Sequence, residues 1–66
     1  MSARALTQDQ EQIVFRAYAE ASLAAREKGL SGTKAVSAVL NATAKVASRL
    51  TGFALTPQDV EQIVRR

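Results

Sequence analysis

Glycine and proline divide the chain into two long stretches and a short one, and this division constrains the fold most. Residues 1–28 and 33–51 contain neither residue type, and alanine, the best helix former, is frequent in both. These helix-breaking residues lie outside the two long stretches, at Gly29, Gly32, Gly52 and Pro57. β-branched residues do not alternate with polar ones, so strands are not expected. We therefore expect an all-α fold.

Capping residues mark where each predicted helix begins and ends. Thr7, with a glutamine three residues later, forms a capping-box pattern that satisfies free N–H groups at a helix start. Thr56 precedes Pro57, which suits the first position of a helix. Gly29 and Gly52 stand where a helix would end in a left-handed residue. We predict a flexible segment at residues 1–6 and helices over about 8–28, 33–51 and 57–65.

The short connection between the two long helices favours an antiparallel hairpin. A chain of 66 residues forms one domain, and a chain of this size buries only about 60% of its unfolded surface. It contains no cysteine and no histidine, which removes disulfides and the usual zinc ligands. A second subunit is the remaining means of enlarging the core. We expect two hairpins to dimerise into a helical bundle; the alternative is a monomer whose third helix covers the hairpin.

The second predicted helix has an apolar face wider than one partner helix needs. Its residues recur at spacings of three and four, which is the period of one side of a helix. We interpret this face, called the α2 seam below, as the contact surface for a second copy or a partner. The α2 seam comprises Val36, Val39, Leu40, Thr43, Val46, Ala47 and Leu50.

The first predicted helix carries an apolar side chain outside its own packing face. Leu23 falls on the polar side of this helix. A single exposed leucine is ordinary on a protein surface, but it also fits a contact surface for a protein partner. Under the second interpretation the contact surface comprises Leu23, Arg16, Glu20 and Glu27.

The net charge of +3 is localised on the second predicted helix. Residues 30–55 carry three cations and no acid, whereas the cations and acids of the flanking segments balance. Such a face suits phosphates, an acidic protein surface or plain solvation. The polar face of this helix comprises Lys34, Ser37, Asn41, Lys45, Ser48 and Arg49.

Residues 25–31 followed by residues 36–41 resemble the helix-turn-helix of small bacterial repressors. The shared features are an alanine four positions before the turn glycine and a Val-Ser-x-Val-Leu-Asn stretch after it. The chain departs from the motif at Lys28, where those proteins have a buried apolar residue. A hairpin turn with glycine at a helix end explains the same turn without DNA. The resemblance implies DNA contacts by Lys34, Ser37, Asn41 and Lys45.

Composition argues against catalysis. Without histidine or cysteine the chain lacks the commonest general base and the strongest nucleophile. We expect no enzymatic activity, no cofactor, no metal and no small-molecule substrate. No apolar run approaches the length of a membrane span, and the first six residues contain no hydrophobic signal region. We therefore expect a cytoplasmic protein without a membrane partner.

These observations predict a small regulatory or adaptor protein that acts as a homodimer. It would bind and occlude a surface of a protein partner, as small phage or plasmid inhibitors do. The alternative is a small transcriptional regulator that binds DNA through the basic face of the second helix. A protein target is favoured over DNA because the first helix is uninterrupted, which suits a bundle better than a helix-turn-helix domain.

Overall fold

The computed structural model describes residues 6–65, which form three helices and no strand. The helices are α1 (Gln8–Glu27), α2 (Gly32–Thr51) and α3 (Pro57–Val64). The predicted all-α hairpin with a short third helix is confirmed. The flexible segment predicted at residues 1–6 lies outside the described residues except for Leu6, which is half-buried against the core.

Helices α1 and α3 both begin at the predicted caps. Thr7 Oγ1 accepts a hydrogen bond from the Gln10 N–H at 3.1 Å, and the Thr7 N–H donates to Gln10 Oε1 at 2.9 Å. Thr56 and Asp59 form the same pair of bonds at 3.1 and 3.0 Å. Pro57 takes the first helical position, where its missing N–H would have no partner within the helix. Local residues alone therefore account for these two helix starts.

The turn between α1 and α2 is a Schellman motif. Gly29 has a left-handed φ of +78°, which favours glycine. The Leu30 N–H donates to the Ala25 carbonyl and the Gly29 N–H to the Arg26 carbonyl, both at 3.0 Å. Ser31 precedes α2, but its side chain forms no capping hydrogen bond. The glycine-based helix end, rather than a new side-chain cap, therefore defines this turn.

Helices α1 and α2 run side by side along their whole lengths. Ala25 and Val39 line one groove near the turn, and Ile13 and Leu50 line another at the far end of the hairpin. In a helix-turn-helix the two helices instead cross at roughly 90–120°. The hairpin therefore differs from the crossing geometry that the resemblance implies.

Helix α3 packs across one face of the hairpin and closes the core within a single chain. Its side chains Val60 and Ile63 are at most 1% exposed. Half-buried Tyr18, Leu40 and Phe53 pack around them. The core cluster joins all three helices and the α2–α3 loop through Val14, Ala44, Ala47, Leu55, Val60 and Ile63.

The α2–α3 loop is held against α2 by two hydroxyl groups. Ser48 Oγ donates to the Leu55 carbonyl at 3.2 Å and accepts from the Leu55 N–H at 2.8 Å. Thr51 Oγ1 accepts a hydrogen bond from the Phe53 N–H at 3.2 Å. These bonds reverse the chain direction and bury Leu55, so that α3 returns onto the hairpin.

Candidate interaction surfaces

Four residues of the α2 seam lie inside their own chain. Val39, Thr43 and Ala47 are at most 6% exposed, and Leu40 is half-buried against the core. Thr43 Oγ1 donates to the Val39 carbonyl at 2.7 Å, which satisfies this buried hydroxyl within α2. These side chains are core residues and are not accessible to a second chain in this structure.

The other three residues of the α2 seam are exposed. Val36, Val46 and Leu50 are 55%, 42% and 62% exposed. Val36 lies near the α1–α2 turn, in a groove of about 240 Å³ that Tyr18 and Arg26 also line. Val46 and Leu50 lie near the opposite end of the hairpin. The structure therefore divides the predicted seam into a buried part and two separate exposed parts.

The exposed end of the seam belongs to the face of the hairpin that α3 does not cover. On α2, Val46 is turned about 160° around the helix axis from Ala44, which packs in the core with α3. We call this surface the open face. It comprises Ile13, Ala17, Val46 and Leu50, with Arg16 and Glu20 at its border.

Leu23 lies on the solvent side of α1 and is 56% exposed. Phe15 is also exposed, and with Ala19 it completes a row at spacings of four residues. Such a row forms a ridge on a helix surface. We call Phe15, Ala19 and Leu23 the α1 ridge. Phe15 is not among the residues predicted for this surface, although its spacing of eight residues from Leu23 is visible in the sequence.

The other predicted members of the Leu23 contact surface follow the same side of α1, because Arg16 and Glu27 lie within about 20° and 40° of Leu23 around the helix axis. Arg16 and Glu20 border the open face, beside Val46 and Leu50. Glu27 is exposed at the last position of α1. The four predicted residues therefore form one exposed stripe along α1, which lies between the open face and the α1 ridge and shares Leu23 with that ridge. The contact of a protein partner with this stripe stays a prediction.

The polar face of α2 is exposed except at Ser48, whose hydroxyl is bonded to Leu55. Asn41 Nδ2 donates to the Ser37 carbonyl at 2.9 Å, within the same helix. Asn41, Lys45 and Ser48 also line an open groove beside Leu55 and Pro57. The contact of this face with nucleic acid or an acidic partner stays a prediction.

The three cations of α2 have no ionic partner within residues 6–65. The ion pair found in α3 joins Arg65 and Glu61 at 3.2 Å and leaves Lys34, Lys45 and Arg49 free. All three side chains are exposed. The unbalanced charge is therefore fully available on the surface of a single chain.

Two further properties of the described part of the chain bear on function. No three acidic side chains come close enough together to hold a metal ion. None of the three helices combines the length and the apolar character needed to cross a membrane. Comparison with known proteins gives no match, whether to family models, curated proteins or solved structures.

Proposed function

We propose that this chain is a small non-enzymatic regulatory or adaptor protein that acts as a homodimer and occludes a surface of a protein partner. One observation carries the proposal: two separate apolar surfaces are exposed although the core closes within one chain. These are the open face, with Leu50 at 62% exposure, and the α1 ridge, with Leu23 at 56%. An apolar surface on a folded domain commonly marks a site of protein contact.

The two surfaces suit different partners. The open face continues the hairpin groove, and two hairpins that share such a groove form a four-helix bundle. The α1 ridge is narrower and carries an aromatic ring, Phe15, about two helical turns from Leu23. Aromatic side chains are enriched in the centres of protein interfaces. We assign the open face to a second copy and the α1 ridge to the protein partner.

Occlusion is the mechanism that suits such a surface. Helix α1 is held along its length by α2, so the α1 ridge is presented on a rigid element and little ordering is needed on binding. Helix α1 of Gln8–Glu27 is long enough to cover a partner's own DNA-binding, substrate-binding or dimerisation surface. A homodimer would present two such ridges and so gain from multivalent binding.

The test is capture of a partner from host lysate, with and without nuclease, followed by mass spectrometry. We expect Leu23→Glu to reduce the captured protein at least about tenfold, because it places a charge at the centre of an apolar contact. Val36→Glu is the matched control, since Val36 is 55% exposed but lies on α2 near the turn. Retention of the partner by both variants would reject the α1 ridge as its binding surface.

A second candidate function is DNA binding through α2. The observation that favours it is the set of free, exposed cations Lys34, Lys45 and Arg49 in a segment without acids. Lysine and arginine bound to phosphates supply most non-specific affinity for DNA. In the lysate experiment, DNA binding predicts that the captured material is lost after nuclease treatment. It also predicts that Lys45→Glu abolishes capture and that Leu23→Glu does not.

A further inference from the structure

We propose that α1 of one copy packs against α2 of the second copy across the open face, with an acidic edge of each chain facing a basic edge of the other. The two copies are related by a two-fold axis parallel to the hairpin. This arrangement rests on the homodimer of the proposed function and adds its geometry. Charge complementarity between the two edges carries the proposal.

The acidic edge lies on α1. Asp9, Glu20 and Glu27 are separated by 11 and 7 residues, so they return to the same side of the helix within about 20°. Glu20 borders the open face directly, and all three side chains are exposed. Arg16 also borders this face, so three acids outweigh one cation along the α1 edge.

The basic edge lies on α2. Lys34 and Lys45 are 11 residues apart and therefore lie within about 20° of each other around the helix. Arg49 follows Lys45 by four residues and directly precedes Leu50 of the open face. No acid lies between residues 30 and 55, so this edge carries positive charge only.

The two edges do not pair within one chain. They lie on the outer sides of two neighbouring helices, whose axes are separated by about 8–10 Å in packed pairs. Within the described residues, none of the three α2 cations is in an ion pair. Each chain therefore presents one acidic and one basic edge with the apolar residues of the open face between them.

The heights of two of the three charge pairs along the hairpin match. Ile13, Ala17, Val46 and Leu50 line one groove. Because the two helices are antiparallel and both spacings are four residues, we place Ala17 level with Val46 and Ile13 level with Leu50. With this antiparallel alignment and a rise of about 1.5 Å per residue, Glu20 and Lys45 differ in height by about 3 Å. Glu27 and Lys34 differ by about 3 Å as well, and Asp9 and Arg49 by about 8 Å.

Only one face-to-face arrangement brings opposite charges together. A two-fold axis parallel to the helices preserves height and places α1 opposite α2 of the other copy. Glu20 then meets Lys45 and Glu27 meets Lys34. These two attractive pairs outnumber the one like-charge approach, between Arg16 and Arg49. An axis perpendicular to the helices would place α1 against α1 and α2 against α2, which brings like charges together. Like charges opposite each other in an interface cost several kcal/mol in general, so the parallel axis is favoured.

The centre of the open face allows the second copy to approach closely. Ala24 and Ala42 are exposed on the same sides of α1 and α2 as Glu20 and Val46. Small side chains between larger ones let facing helices interlock, and charged edges of such a bundle determine partner and orientation. Leu50, the most exposed large apolar side chain among residues 6–65, would be covered by this contact.

Sedimentation of a dilution series tests the arrangement with a charge swap. We expect the wild-type chain to dimerise and Glu20→Lys or Lys45→Glu alone to weaken dimerisation about tenfold or more, because each creates like-charge contacts. The double variant Glu20→Lys/Lys45→Glu exchanges the two charges and should recover most of the wild-type affinity. Glu61→Lys and Lys28→Glu are controls with the same charge changes away from the open face.

The outcomes separate the arrangement from the homodimer itself. A monomeric wild-type chain at all concentrations would overturn both. A wild-type dimer that both single substitutions leave intact, or a double variant as weak as the single ones, would overturn only the proposed arrangement. Circular dichroism of each variant checks folding, which the exposed side chains of Glu20, Lys45 and Lys28 should not disturb. The check matters most for Glu61→Lys, because Glu61 is partly buried and paired with Arg65.

Discussion

The hairpin has two apolar faces, and α3 covers only one of them. On the covered face Val14 and Ala47 are fully buried, whereas Leu50 on the open face is 62% exposed. Both faces consist mainly of valine, leucine and alanine or similar apolar residues, so hydropathy does not distinguish them. The loop that Ser48 fixes decides on which face α3 packs. The direction of one short connection thus determines which apolar face of the hairpin remains exposed.

The largest expected difference between the faces is in folding stability. Ile63→Ala removes a side chain from the centre of the core and should lower the free energy of unfolding by about 3 kcal/mol. Leu50→Ala on the open face should change it by less than about 0.5 kcal/mol at dilution. Urea unfolding followed by far-UV circular dichroism measures both.

Equal losses from these two substitutions would contradict the distinction between a covered and an open face. Native domains are stable by only about 5–15 kcal/mol, and small ones lie at the lower end. Ile63→Ala could therefore leave part of the chain unfolded in water. In that case Ile63→Val, which should cost about 1 kcal/mol, gives a complete unfolding curve for the comparison.

Sequence reasoning was sufficient for the elements themselves, because local interactions determine them. The predicted bounds of the helices differ from the structure by at most one residue at each end. Thr7 and Thr56 form the predicted caps, and Gly29 has the predicted left-handed backbone. Each of these signals depends on residues within one turn of chain, which can be read directly from the sequence.

Sequence reasoning could not divide the α2 seam into core and surface. A spacing of three and four residues identifies an apolar side of a helix but not the element that covers it. Ala47 and Leu50 share this pattern, yet one is fully buried and the other exposed. Ser48 belongs to the predicted polar face of α2, yet its hydroxyl is bonded to Leu55. This bond spans seven residues and has no local signature in the sequence.

A smaller effect is expected from the loop that directs α3 to its face. Ser48→Ala removes both hydrogen bonds between the Ser48 hydroxyl and Leu55, although the Leu55 N–H keeps the Phe53 carbonyl as an acceptor at 3.0 Å. Such a loss should lower the free energy of unfolding by about 1 kcal/mol. Ser37→Ala is the control, since Ser37 is an exposed serine on the same helix. Equal effects in urea unfolding would show that the loop does not depend on Ser48.

The smallest expected change in intrinsic stability comes from the open face, where the effect appears in association instead. Leu50→Gln keeps a good helix former at an exposed position, so the dilute chain should lose less than about 0.5 kcal/mol. Only folded chains can form the dimer. The midpoint of thermal unfolding of a dimeric protein therefore rises with protein concentration. We expect the wild-type chain to show this rise and Leu50→Gln to lose it.

Leu23→Gln makes the same change on the α1 ridge, at a position of similar exposure on the other long helix. This variant should keep the wild-type rise of the thermal unfolding midpoint with protein concentration, because the α1 ridge is not the proposed dimer contact. The pair of variants therefore distinguishes the two apolar surfaces at equal cost in helix propensity. If Leu23→Gln abolishes the rise of the unfolding midpoint with concentration and Leu50→Gln retains it, the roles of the two apolar surfaces are exchanged. The α1 ridge would then be the self-contact, and the open face with its charged edges would be left for the partner.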